Sequence, residues 1–198
     1  MFSAKAPKRI MASRVLAKAG AQIDDFIGGI VELGPKLGPL VWQFDRGQRI
    51  ERDDFAAFLD LLPSHAGDRK LRHVLDVRDP DFINADFLAL ARSHGMATVF
   101  TDSSEYPSFA DLTADFVYAR LMRSQAGIAT GYDDAELDRW AARARRWAAG
   151  GESDDLPRIV ADGDAAATHR DVFVYFISSA KERNPAAAMA LLRKLGVD

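Results

Sequence analysis

Lys5, Gln43, Asp76, Arg78, Asp102, Tyr118, Arg120 and Tyr175 occupy one kind of position in this chain: at or near the end of a short apolar run rich in Val, Phe, Tyr and Leu. Asp76 and Asp102 carry the group that serves as general acid and base, or that accepts hydrogen bonds from hydroxyls. Lys5, Arg78 and Arg120 are of the type that holds an anion. Gln43, Tyr118 and Tyr175 add neutral polar contacts, and Ser178 with Ser179 closes the last run in the same way. Each residue also has a plainer reading. Asp102, followed by Ser103 and Ser104, suits a turn whose carboxylate caps backbone amides, and Asp76 and Arg78 suit a mutual ion pair. As a set, they read as a polar rim that binds a small polar or anionic molecule.

The elements that must position these residues alternate along the chain. Phe2–Ala6 reads as a strand stopped by Pro7, and Ile23, Phe26, Ile27, Ile30 and Val31 give residues 20–34 a helical period ended by Gly34-Pro35. A strand at Leu40–Phe44 and a helix at Asp53–Leu62 follow. Then come a strand at Leu71–Val77, a helix capped by Asn84 and ended at Gly95, and strands at Ala97–Thr101 and Phe116–Leu121. Asp133 starts a long helix, with Glu136 three residues on in the manner of a capping box and Leu137, Trp140, Ala144 and Trp147 as its buried stripe. Residues 151–169 are polar and aperiodic and read as a loop or insertion. Val172–Ile177 is the last strand, and Asn184-Pro185 reads as the N-cap and first turn of the last helix, ended by Gly196. Strands alternating with helices imply a parallel sheet, either doubly wound or closed as a barrel, in a single domain over residues 1–198. In both, ligands bind at the carboxyl ends of the strands, where the polar set stands.

Composition narrows the function classes. The chain has 198 residues, of which 48% are hydrophobic and 28% charged, an ordinary globular balance. A net charge of −3 gives no global attraction to nucleic acid or anionic membrane. Cysteine is absent, which excludes disulfides, thiolate nucleophiles and cysteine zinc sites. No apolar run approaches the ~18–20 residues of a membrane span. The first residues, Met1–Arg9, lack the apolar core of a signal peptide, so a cytoplasmic protein is expected. His65, His73, His94 and His169 lie far apart, without metal-ligand spacing, and read as local hydrogen-bonding groups. Asp162-Gly163-Asp164 lacks the ligand ladder of a calcium loop. Arg139, Arg143, Arg145 and Arg146 read either as a solvated helix face or as a nucleic-acid patch. P-loop, dinucleotide and Gly-x-Ser-x-Gly motifs are absent, so the residues name no cofactor, and none is assigned.

The strand-end residues also carry a family pattern. It comprises Phe2–Pro7, Leu33–Leu40 running into Trp42-Gln43-Phe44, Leu75–Arg78 with Pro80, and Thr101-Asp102-Ser103. It continues through Thr113–Leu121, Tyr132-Asp133, and Val172–Phe176 before Ala180-Lys181. In these segments the chain resembles the YecE-like proteins of the domain of unknown function 72 family. The resemblance implies a TIM-type (β/α) barrel of uncharacterised biochemical role. It also implies an incomplete barrel of about six parallel strands with outer helices, lacking the first two βα units. The sequence departs from the family at Ile177-Ser178-Ser179, where Asn and Asp are usual after the last strand, and at Glu182, where Gly is usual. An Asn-Ala pair in the last helix is replaced by alanines, and Asp76 stands where Glu is common. Three functions follow as expectations. The first is an enzyme on a polar or anionic small molecule, with Asp76 and Asp102 carrying protons and Lys5, Gln43, Arg78, Tyr118, Arg120 and Tyr175 binding. The second is a nucleic-acid binder using the same rim and the basic helix face. The third is a non-catalytic interaction protein with a decayed site.

Strands cannot close the usual eight-stranded barrel when two are missing, so the first and last strands of this sequence are expected to be open edges. Poor solubility, self-association through those edges, or a longer natural product follows. Light scattering on the purified chain is expected to give a dimer or larger species, and a stable, monodisperse monomer would contradict the expectation.

Overall fold

The computed structural model describes residues 1–48, 50–160 and 169–197. The chain divides into two compact units, Met1–Thr98 and Val99–Asp198, with strand residues on both sides of the boundary.

In the first unit, β1 (Phe2–Lys5) is followed by the short helix α1 (Lys8–Met11), α2 (Gly20–Ile30), β2 (Leu37–Phe44) and α3 (Arg52–Asp60). A small hairpin of β3 (His65–Ala66) and β4 (Arg69–Lys70) leads to β5 (His73–Val77), α4 (Ala85–Ser93) and the start of β6 (Ala97–Asp102). β1 pairs in parallel with β2, β2 with β5, and Val74 and Leu75 of β5 with Ala97 and Thr98. Helix α2 stops at Ile30, earlier than its apolar period suggests, and gives way to a 3-10 turn over Val31–Lys36 in which Gly34 takes a positive φ of 53°. β2 begins three residues before the run predicted from sequence. Gly38 makes that possible, because a Cβ there would stand 2.9 Å from the Phe2 carbonyl oxygen of the adjoining strand. The hairpin escapes a periodicity reading because two-residue strands are too short to show one.

Alternation gives each strand two faces. Trp42 and Phe44 turn toward the helices. The Trp42 ring meets Phe26 and Phe58 edge-on at 5.7 and 5.6 Å, and Phe44 meets Phe55 at 5.2 Å. His73 is buried beside them. Its Nδ1 accepts a hydrogen bond from Trp42 Nε1 at 3.0 Å, so its Nε2 carries the proton and donates to the Pro63 carbonyl at 2.8 Å. This agrees with the local hydrogen-bonding role read from sequence.

The second unit holds the rest of β6, β7 (Phe116–Leu121), α5 (Asp134–Ala148), β8 (Asp171–Phe176) and α6 (Asn184–Leu195). β7 lies between β6 and β8, parallel to both, with Thr101, Arg120 and Tyr175 in one row and Asp102, Leu121 and Phe176 in the next. Phe100, Val117, Ala119, Leu121, Trp140, Ala141, Trp147 and Leu191 form the core between strands and helices. Asp133 caps α5 as its sequence suggests, accepting from the Glu136 amide at 2.6 Å. Asn184 does not cap α6. It already has helical φ and ψ, and its side-chain amide donates to the Ser178 carbonyl at 3.2 Å. The described part of the 151–169 segment forms no helix or strand. It is tied down at residues 157–160, where Pro157 accepts from the Ala110 amide and the Asp111 carboxylate accepts from the Ile159 and Val160 amides at 2.8 and 3.0 Å. Asp162-Gly163-Asp164 lies outside the described residues.

The fold is therefore α/β, with six parallel strands flanked by helices, as the alternation of the sequence implies. Among the described residues, no helix is long and apolar enough to cross a membrane. Burial holds His73 below the usual imidazole range, against a smaller upward pull from its bond to Pro63. A base held neutral in the fold stabilises it fully above its unfolded value and loses that contribution as pH falls below about 6.5. Thermal melts are expected to show a stability loss between pH 7 and 5. His73→Phe should flatten that loss while lowering stability at pH 7 by about 1–3 kcal/mol, because Trp42 Nε1 loses its buried acceptor.

Candidate functional site

In the first unit, the register places Lys5, Gln43 and Asp76 on the face turned away from the helices, since Lys5 aligns with Val41 and Gln43 with Asp76. Lys5 is exposed. Gln43 Nε2 donates to Asp45 Oδ1 at 2.9 Å, and Lys8 Nζ lies 2.7 Å from the other oxygen. The hydrogen bond from Lys8, then that from Gln43, holds Asp45 below the usual carboxylate range. Asp76 is 4% exposed and has Arg78 at 3.4 Å, the mutual pair that their spacing allowed. The Arg78 amide is anchored on the Phe44 carbonyl at 3.0 Å.

In the second unit, the strand-end residues fall on two faces. Tyr118, Arg120 and Tyr175 share the face away from α5 and α6. Arg120, at 7% exposure, lies with its guanidinium carbon 5.7 Å from the centre of the Tyr118 ring, and that ring stacks on Tyr175 at 4.9 Å with 27° between planes. Asp102 shares its side of β6 with Phe100, which packs on Trp140 and Trp147. Asp102 therefore stands on the helix side. The rim read from sequence does not bring Asp102 and Arg120 to one face: Arg120 aligns with Thr101, and Asp102, the next residue along β6, points to the opposite side.

Around Asp102 the structure adds residues that the sequence reading did not place in the site. Arg123 Nε lies 3.0 Å from its Oδ1. The Arg123 amide donates to the hydroxyl of fully buried Tyr132 at 2.8 Å. Burial raises the Asp102 pKa, outweighing the opposing pull of Arg123 and Arg143. Glu136 is raised as well, first by burial and then by Asp133 and Asp102. The spacing of Arg123, two residues past β7, was the one available signal. Tyr132 entered the sequence reading only within the family pattern, where Tyr132-Asp133 opens the long helix.

The turn after β8 is strained. Ser178 and Ser179 have φ of 61° and 45°, a left-handed conformation that costs non-glycine residues roughly 1–2 kcal/mol each. Ser179 Oγ donates to the Met122 carbonyl at 2.6 Å, the Ile177 amide to Leu121 at 3.0 Å, and the Ala180 amide to Ser124 at 3.3 Å. These bonds clasp the loop after β8 to the loop after β7. Among the described residues, no group of three or more His, Asp or Glu side chains could hold a metal ion.

Two arginines of the basic run on α5 are paired with carboxylates. Arg143 pairs with Asp155 and Arg146 with Asp154, each at 2.6 Å, and Arg145 donates to the Lys194 carbonyl.

The family model described as protein of unknown function DUF72 matches residues 1–198. The chain belongs to the DUF72 family. A crystal structure of a DUF72 family protein from Thermotoga maritima superposes with a TM-score of 0.63 at 17% identity, over 98% of this chain and 71% of that one. Another, from Enterococcus faecalis, gives 0.62 at 12% identity, over 98% and 74%. At these identities the likeness concerns the fold alone. No curated protein matches the chain in sequence. The DUF72 fold thus presents Arg120 and Asp102 from neighbouring strands, on opposite faces.

A carboxyl group whose pKa is raised in the fold destabilises it at neutral pH, and that penalty is relieved as pH falls through the folded value. Asp102→Asn is therefore expected to raise the melting temperature at pH 7, with the gain shrinking toward pH 4. A lowered melting temperature at pH 7 would show that the Arg123 pair outweighs the burial.

Proposed function

We propose that this DUF72 protein is a YecE-like, TIM-type barrel domain, with six of the barrel's strands present in this chain. Its function is to bind a small anionic molecule at the carboxyl end of β7 and β8. The observation that carries the reading is Arg120. A guanidinium this buried is costly to desolvate and is kept where it meets a negative or planar partner. The Tyr118–Tyr175 stack beside it offers a flat aromatic wall and two hydroxyls, suited to the body of a ligand whose anionic group meets the arginine. An acid–base pair of Asp76 and Asp102 has less support, because each carboxylate has an arginine as its close charged neighbour within its own unit. The reading is one of ligand recognition, and Asp102, which points to the opposite face from Arg120, takes no part in it.

The test is a thermal-shift screen of the whole chain against small anions, including inorganic phosphate, sugar phosphates and dicarboxylates. A ligand at a hundred times its Kd stabilises the folded state by about 2.7 kcal/mol. A saturable shift is expected for at least one class, strongly reduced in Arg120→Gln and in Tyr175→Leu. If no class gives a shift that both substitutions reduce, the reading is overturned.

A further inference from the structure

A cavity that does not include Arg120 lies along α5. Arg139, Arg143 and Arg146 follow one another at helical spacing and line a cavity of about 290 Å³ together with Ser153, Asp154 and Asp155. Three positive groups against two negative ones leave the cavity cationic. Arg143 is held in place from below, its guanidinium carbon 4.2 Å from the centre of the Trp140 ring, so one donor is preorganised at the cavity wall. Among the described residues Arg139 has no ion-pair partner. Ser153 is the decisive residue. It is 3% exposed, and its hydroxyl has no hydrogen-bond partner among the described residues, although a buried polar group without one is rare.

We propose that this cavity binds the phosphate group of a small phosphorylated molecule, with Arg139, Arg143 and Arg146 as its counter-charges and Ser153 Oγ as a donor. Asp155 pairs with Arg143 and Asp154 with Arg146, and both carboxylates are exposed, so an incoming phosphate competes with them for the same guanidinium groups. The cavity's volume suits one phosphate with a small substituent rather than a polymer.

Calorimetric titration of the whole chain with inorganic phosphate tests the proposal. Saturable binding is expected to weaken about tenfold in Arg139→Gln/Arg146→Gln, which alters only exposed side chains, and about threefold to tenfold in Ser153→Ala. Removing the competing charges in Asp154→Asn/Asp155→Asn should tighten it. Arg120→Gln should leave it unchanged, which separates this site from the strand-end one. Four results would overturn the proposal: no saturable phosphate binding, loss of binding in Arg120→Gln alone, weaker binding in the asparagine variant, or far tighter binding of a single-stranded oligonucleotide with a steep salt dependence. The last would assign the arginines to a polyanion.

Discussion

Each strand of a parallel sheet covered by helices must place alternate side chains against those helices, and little in this structure is independent of that demand. β2 sends Trp42 and Phe44 inward to α2 and α3, which forces Gln43 outward. β7 sends Val117, Ala119 and Leu121 into the core with α5 and α6, which forces Tyr118 and Arg120 to the other face. The apolar face supplies most of the stabilisation, at roughly 25 cal/mol per Å² removed from water. The opposite face receives whatever residues remain, and there a buried arginine is a choice rather than a consequence of packing.

The same demand explains what could be read beforehand. Phe116–Leu121 and Asp133 with Glu136 were legible because a short, mostly apolar run and a capping spacing are local signals. The polar strand ends were legible as a set. Their division between faces was not, because it depends on the parity of each residue relative to the register of its neighbour, and one residue's difference reverses it. Asp102 lies one step past Thr101, and Thr101 aligns with Arg120. Asn184 misled for a related reason. Asn-Pro is a strong start signal, yet here the helix begins one residue earlier and the Asn side chain reaches back to Ser178. Tertiary contact with the strained turn outweighed the local preference for a cap.

Buried polar groups divide into those that hold the fold and those that do not need to. His73 joins Trp42 to Pro63, and Asp111 gathers two amides of the 151–160 segment. Removing either would leave partners unsatisfied, so both act as structure. The Ser178–Ser179 turn works differently. Its left-handed backbone is an expense that only neighbouring hydrogen bonds offset, and strain of this kind collects where a loop must hold a shape that packing alone would not choose. It follows β8 immediately, at the same strand ends that carry Arg120 and Tyr175.

The arginines show how environment, rather than residue type, assigns a role. Arg146 is exposed and shares its charge with Asp154 beside it. Arg123 is half-exposed and tethers Asp102 without cancelling the effect of burial on that carboxyl group. Arg120 is enclosed on the face turned away from α5 and α6, with an aromatic ring beside it. Electrostatic attraction grows as water is excluded, so a guanidinium in that setting acts on an incoming anion more strongly than an exposed one does. Alternation sets this difference: β7 buries the charge on the side turned away from α5 and α6, and the tyrosines two residues back and one strand over give it a surface to lie on.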